Sequence, residues 1–289
     1  MARLASWWGR PVFAASESRA RGGRVASLTG HVSDIDASTC QSYFAFVGAP
    51  RSASRDLELL RAACNHANGQ KALDGVVKVW LPPKAQPRQR WLTRSEVARL
   101  LWTAWRSKRS VNGRSGGSDE WHTRRHLARF ILLATYTGSR KQDVLSACFE
   151  QRPDGGYIDL DRGLWIRRPT SKVVTKKRQP AIPLPTPLLA HMRRWHKAGQ
   201  TFAVEFNGRP VQNIGKAFRE LVTDSGLGSD VVPHVLRHTG VTWGMQNGMD
   251  IWDASGYFGM TVQLLTDVYG HHHADHLRDA AARMGRRRQ

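Results

Sequence analysis

The stretch LPPKAQPRQRW (81–91) constrains this chain more than any other. Each proline pushes the residue before it out of helix, and the segment is too basic and too poor in apolar residues for a buried strand. It therefore predicts a linker. A chain of 289 residues has room for one large domain or two of ordinary size, and a break here leaves two folded parts of unequal length.

Both parts carry helical periodicity. Ahead of the linker, DASTCQSYFAFVG (36–48) and SASRDLELLRAACNHANG (52–69) place apolar residues at helical spacing with Asp and Ser near their starts. Residues 31–86 thus read as a small helical module, and residues 1–30, without a firm period, as a poorly defined N-terminal segment. Behind the linker, LTRSEVARLLWTAW opens with Thr93 and, three residues on, Glu96, the pattern of a capping box. A Gly/Ser-rich loop (111–120) leads to HLARFILLATYTGSR, an apolar helix ending at Thr137-Gly138. The segments GGYIDLDRGLWIRRP and RQPAIPLP predict short strands around a basic turn, TSKVVTKK (170–177). From TPLLAHMRRWHKAG onward helical periods return almost to the end, where MGRRRQ reads as a solvated basic tail. The predicted fold class is mainly α (α+β): a helical N-terminal domain, then a mostly helical domain over 87–289 with one small antiparallel sheet. There is no internal repeat.

Composition narrows the partner. Hydrophobic residues make up 40% of the chain, with 11 Trp and 9 Phe, enough to build a core and to exclude wholesale disorder. Lysine and arginine number 44 against 23 acids, a net charge of +21. Such a surplus favours a polyanion, nucleic acid ahead of an acidic membrane surface, because each neutralised phosphate releases counterions. No apolar run approaches the roughly 20 residues of a spanning helix, and MARLASWWGRPVFAASESRARGG lacks the apolar stretch of a signal peptide. Cys40, Cys64 and Cys148 form no CxxC and read as reduced core thiols of a cytoplasmic protein. His271, His272, His273 and His276 do not make a metal site, since adjacent histidines diverge and no Cys or carboxylate set surrounds them.

The chemistry-bearing residues are modest one at a time. In PHVLRHTGVTWGMQNGMD (233–250), His234 and Arg237 stand three apart and share a helix face, a pairing more often found at surfaces or positioning a phosphate. Arg140, after TGS, fits a helix-end cation. Tyr269, in LLTDVYGHHH, fits a half-buried aromatic. Asp143 fits either an anchor for one of the cations or an ordinary exposed acid.

Their order says more. TYTGSR, a lysine-bearing strand–turn–strand, HVLRHTGVTWGMQNG and an apolar helix with a Tyr before Gly-His together resemble the tyrosine recombinase (phage integrase) family. The resemblance spans roughly residues 90–276 and extends weakly into the N-terminal helices, which it equates with a DNA-clamping domain. It implies a catalytic set of Arg140, a lysine of the basic turn, His234, Arg237 and the nucleophile Tyr269. Among Lys172, Lys176 and Lys177, the run TKKRQPAIPL fits the family pattern best with Lys176 as the acid and Lys172 second. One position departs: Met260 stands nine residues before Tyr269, where the family has His or Trp. Methionine offers no donor to a phosphate oxygen.

The resemblance implies chemistry that suits these residue types. Breaking a phosphodiester through a tyrosyl link develops charge on the non-bridging oxygens, which the planar donor forks of two arginines match. A histidine adds a hydrogen bond or handles the nucleophile's proton, and a lysine among other cations protonates the departing 5′ oxygen. A free phenol, with a pKa of about 10, needs such a pocket to react. The implied protein is a site-specific recombinase acting on double-stranded DNA through a 3′-phosphotyrosyl intermediate, as a homotetramer and without nucleotide or metal cofactor. The alternative is a catalytically weak or inactive DNA-binding relative of the same fold, which Met260 favours. A membrane-surface or RNA-binding protein explains the charge but not the constellation.

Overall fold

The computed structural model describes residues 32–73, 75–83, 90–110, 120–169, 171 and 179–270. Contacts divide the chain into two compact units, Met1–Gln86 and Pro87–Gln289. The core of the linker, 84–89, the N-terminal segment 1–31 and the tail lie outside the described residues.

In the first unit, the Asp36 carboxylate accepts from the Thr39 amide at 2.7 Å and so opens helix α1, Ala37–Val47. Gly48, at φ 60°, ends it, and Pro50 begins α2, Pro50–Gly69. The two helices close over Cys40, Tyr43, Ala53 and Leu57, with Phe44 and Trp80 packed edge to face at 5.9 Å. The Tyr43 hydroxyl donates to Asp56 at 2.8 Å, which satisfies the polar end of an otherwise buried ring.

The second unit begins at the expected capping box. The Glu96 amide donates to Thr93 Oγ1 at 3.2 Å and the Thr93 amide to Glu96 Oε2 at 2.8 Å, starting α3, Arg94–Arg106. The apolar helix α4, Arg125–Thr137, stops at Gly138 as the sequence indicates, and α5, Lys141–Leu145, follows it directly. Four strands come next: β3 Ala147–Cys148, β4 Gly156–Asp159, β5 Leu164–Ile166 and β6 Ala181–Pro183. (Strands β1 and β2 precede α4 and are placed below.) Helices α6 Thr186–Lys197, α7 Gly215–Asp224, α8 Pro233–Gln246, α9 Ile251–Phe258 and α10 Val262–Tyr269 follow among the described residues. The main core gathers Phe130, Leu133, Trp165, Ile182, Phe218 and Leu236, and a smaller one lies beneath α9 and α10. Among the described residues, no helix is long and apolar enough to cross a membrane.

The sheet corrects the expectation of a purely antiparallel one. Strands β4, β5 and β6 pair antiparallel, but β3 joins parallel to β4, with Ala147 opposite Gly156. A two-residue strand leaves no alternation to detect. It fits because Gly155 has no side chain: a Cβ there would lie 2.7 Å from the Ser146 carbonyl oxygen. Two small ribbons were also not foreseen. Strands β1 Lys108–Ser110 and β2 Glu120–His122 pair around residues 111–119, so Glu120, assigned to a loop, is strand. Strands β7 Glu205–Phe206 and β8 Arg209–Pro210 pair around Asn207 and Gly208, at φ 53° and 71°. An Asn-Gly pair with both φ positive is the signal of a two-residue hairpin, within a stretch read as helical.

Helix α8 is the post on which the unit is assembled. Its Thr239 accepts from the Leu92 amide at 2.9 Å, and its Trp243 donates to the Leu92 carbonyl at 3.1 Å. Against α4 it packs backbone to backbone, since a Cβ on Gly240 would stand 2.4 Å from the Thr135 carbonyl oxygen. Gly240→Ala is therefore expected to cost about 1–3 kcal/mol by forcing two packed helices apart. Gly256→Ala on α9 meets nothing within 4 Å and is expected to be neutral or mildly stabilising. Unfolding of both full-length variants in urea checks the contrast; equal midpoints would remove the close-approach argument.

Candidate active site

The site forms where α4 ends. Gly138 turns the chain at φ 55°, and the Phe258 ring fills the place a Cβ would take, 2.5 Å from it. Both facts require glycine. The turn delivers Arg140 as the extended residue that precedes α5.

Two buried guanidinium groups hold this turn. Arg237, on α8 and 5% exposed, donates to the Gly138 carbonyl at 2.5 Å and to the Phe258 carbonyl at 3.0 Å. Arg167, just past β5 and 2% exposed, donates to Ser139 Oγ at 3.0 Å, the Tyr257 carbonyl at 2.5 Å and the Pro180 carbonyl at 2.9 Å. Burial lowers the pKa of each to about 10, so both stay charged at neutral pH. Asp143 opposes that depression in both and is itself buried, accepting from Gln179 Nε2 at 2.6 Å. Its reading as an anchor for the cations fits this placement better than that of an exposed acid.

On the next face of α8, His234 and His238 stand one turn apart, their rings edge to face at 4.8 Å. His238 also faces Tyr269, with ring centroids 5.7 Å apart, and its Nδ1 is hydrogen-bonded to the Tyr269 hydroxyl. Burial, then coupling to His234 and the charge of Arg237, push the His238 pKa down to about 4. Partial enclosure, then Arg237 and Arg140, lowers that of His234. Tyr269, 3% exposed, is pushed up to about 12 by burial, against the opposing pull of Arg237. At neutral pH the face thus holds two neutral imidazoles and a protonated phenol beside fixed positive charge.

Met260 is 8% exposed and packs with Val241, Met245, Phe258, Leu265 and Tyr269 under α10. Its carbonyl accepts from Ser255 Oγ at 2.7 Å. The side chain is core and presents no donor to the turn.

Of the residues singled out in the sequence, the structure gathers Arg140, His234, Arg237 and Tyr269 about α8 and the turn 138–140. Lys176, with Lys172 and Lys177, lies outside the described residues, as do His271, His272, His273 and His276. Among the described residues, no group of His, Cys, Asp or Glu could hold a metal ion. Two site residues were not singled out. His238 was legible from its i, i+4 spacing to His234, which puts both on one helix face. Arg167 follows the alternation of β5, which sends it inward with Trp165 and away from exposed Ile166.

This fold is that of the tyrosine recombinases and integrases. The Tn1549 transposon integrase, solved in complex with transposon right end DNA, superposes with a TM-score of 0.66 over 92% of this chain and 89% of that one, at 16% identity. The XerH site-specific recombinase bound to its difH substrate gives 0.58 over 98% and 77%, at 14% identity. In sequence, the chain is similar to tyrosine recombinase XerC of Chlamydia caviae, 32% identical over 87 residues. That match takes in 29% of this chain and only 28% of the relative's length. No family model matches the chain.

Proposed function

We propose that this chain is a tyrosine-type site-specific DNA recombinase that cuts and rejoins double-stranded DNA through a 3′-phosphotyrosyl link. One observation carries the reading: the Tyr269 hydroxyl is hydrogen-bonded to neutral His238, against which His234 packs, in the field of the buried, charged Arg237 and beside the turn that delivers Arg140. A phosphate held by Arg140, Arg237 and His234 meets donors suited to its developing charge. Lys176 is the proposed general acid. Gln179, three residues further on, donates to Asp143 beside the site, which supports that role. The unit over 87–289 is the proposed catalytic domain, and the helical module over 31–86 a second DNA-gripping part. Reciprocal exchange between two duplexes calls for four protomers, and the cytoplasm is the proposed location.

A specific observation favours a second reading, a DNA-binding relative with weak or no activity. Met260 supplies apolar packing where a hydrogen-bond donor would steady the phosphate. A nicked duplex carrying the target site, from which the cut end cannot be religated, separates the two: a recombinase accumulates covalent protein–DNA adduct, and an inactive relative binds without any.

Either way, affinity for DNA should be electrostatic. With a net charge of +21, contact with roughly 6–10 phosphates is expected to lower affinity by about 10³–10⁵ between 50 and 200 mM salt. A fluorescence-anisotropy titration at several salt concentrations measures the slope, and a flat response would remove phosphate neutralisation as the basis of binding.

A further inference from the structure

The recombinase reading leaves open which group receives the proton of the nucleophile, and we infer that it is His238, the residue after Arg237, rather than His234. The inference rests on that reading of Tyr269. Three observations carry it. The Tyr269 hydroxyl is hydrogen-bonded to His238 Nδ1 and to no other described side chain among the bonds of this site. The His238 ring lies between His234 and Tyr269, at 4.8 Å from the first and 5.7 Å from the second. His234 is exposed and so open to a phosphate, while His238 is half-buried.

The groups facing His238 are His234 and Arg237 of its own helix and Tyr269 of α10. With Tyr269 near 12 and His238 near 4, the proton stays on the phenol in the free protein and the tyrosine is held, not ionised. A bound phosphodiester sets a negative charge against Arg237, Arg140 and His234. Arg237 is the fixed charge that, after burial, depresses His238, so offsetting it raises the basicity of His238 as substrate binds. In the tautomer with its proton on Nε2, His238 then takes the phenolic proton at Nδ1. A lone pair of the Tyr269 oxygen forms the bond to phosphorus, and the bond from phosphorus to the 5′ oxygen breaks. That oxygen leaves as a hydroxyl, protonated by the Lys176 ammonium. His234 remains a donor to the phosphate.

The test compares rates of covalent adduct formation on the nicked duplex. His238→Asn keeps an acceptor near the Nδ1 position but takes no proton at neutral pH. It is expected to slow the adduct by about 10²–10⁴, the usual worth of general base catalysis, with DNA affinity unchanged. Difluorotyrosine installed at position 269 is a more acidic nucleophile with less need of a base, so it should shrink the His238→Asn defect while leaving an Arg140→Ala defect in place. Parent-like rates in His238→Asn would overturn the assignment. A defect of the same size with tyrosine and difluorotyrosine would also overturn it, because loss of packing alone does not respond to phenol acidity. A parent chain that forms no adduct on a bound target defeats the recombinase reading itself, and the proposal with it.

Discussion

Tyr269→Phe is expected to eliminate covalent attachment to DNA while leaving fold and DNA affinity nearly unchanged. The substitution removes one oxygen, the only atom of the side chain that can bond to phosphorus. The ring keeps its place beside Met260 and Leu265. What folding loses is the hydrogen bond to His238, a net contribution of about 0.5–1.5 kcal/mol. Affinity, spread over many phosphate contacts, does not depend on one phenol. The informative control is Tyr257→Phe. Its hydroxyl reaches the Tyr136 carbonyl at 3.4 Å and its pKa is also pushed up to about 12, so it is a neighbouring phenol of similar acidity. It should form adduct at the parent rate. Denaturing gels of both variants with labelled nicked duplex decide the assignment: adduct surviving in Tyr269→Phe and lost in Tyr257→Phe would move the nucleophile to the end of α9.

Much of this site was legible before the structure, and what was not has physical reasons. Local rules read well where one residue's chemistry fixes one conformation. Thr93 with Glu96 could only be a helix start, and Gly138 after an apolar run could only be its end. The elements that escaped were too short for periodicity: β3 has two residues and β7–β8 two each, so pairing with a distant partner, not propensity, defines them. His234, Arg237 and Tyr269 stood out by their residue types. Arg167 did not, because on a chain with 44 basic residues one more arginine signals nothing until its burial is seen. Met260 shows the opposite limit. Its sequence position suggested a missing donor, but only the packing under α10 shows that the side chain has a structural task of its own. A histidine introduced there would bring a polar ring into an apolar cluster, where it costs stability unless it finds a partner.

Arg237→Ala is expected to fail twice over, in folding and in chemistry. In the folded chain this guanidinium serves two backbone carbonyls, Gly138 at 2.5 Å and Phe258 at 3.0 Å, that belong to different elements. Truncation leaves both oxygens without that donor in a buried place, at about 1–3 kcal/mol each, and releases the turn that carries Arg140. The chemical loss adds to this, since removing one preorganised donor to the developing charge typically costs about 10²–10³ in rate. A slow Ala variant alone therefore cannot separate the two effects. Arg237→Lys does. An ammonium keeps the positive charge in the pocket and can satisfy one carbonyl, but it lacks the planar fork that reaches two carbonyls and still faces a phosphate. Its unfolding midpoint in urea should lie between those of parent and Ala variant. Its adduct rate should stay within about tenfold of the Ala variant's, because fork geometry at the phosphate and not charge is what both lack. If Arg237→Lys instead cut DNA at the parent rate while remaining destabilised, Arg237 would be a brace for the 138–140 turn, and the charge at the phosphate would have to come from Arg140 and His234.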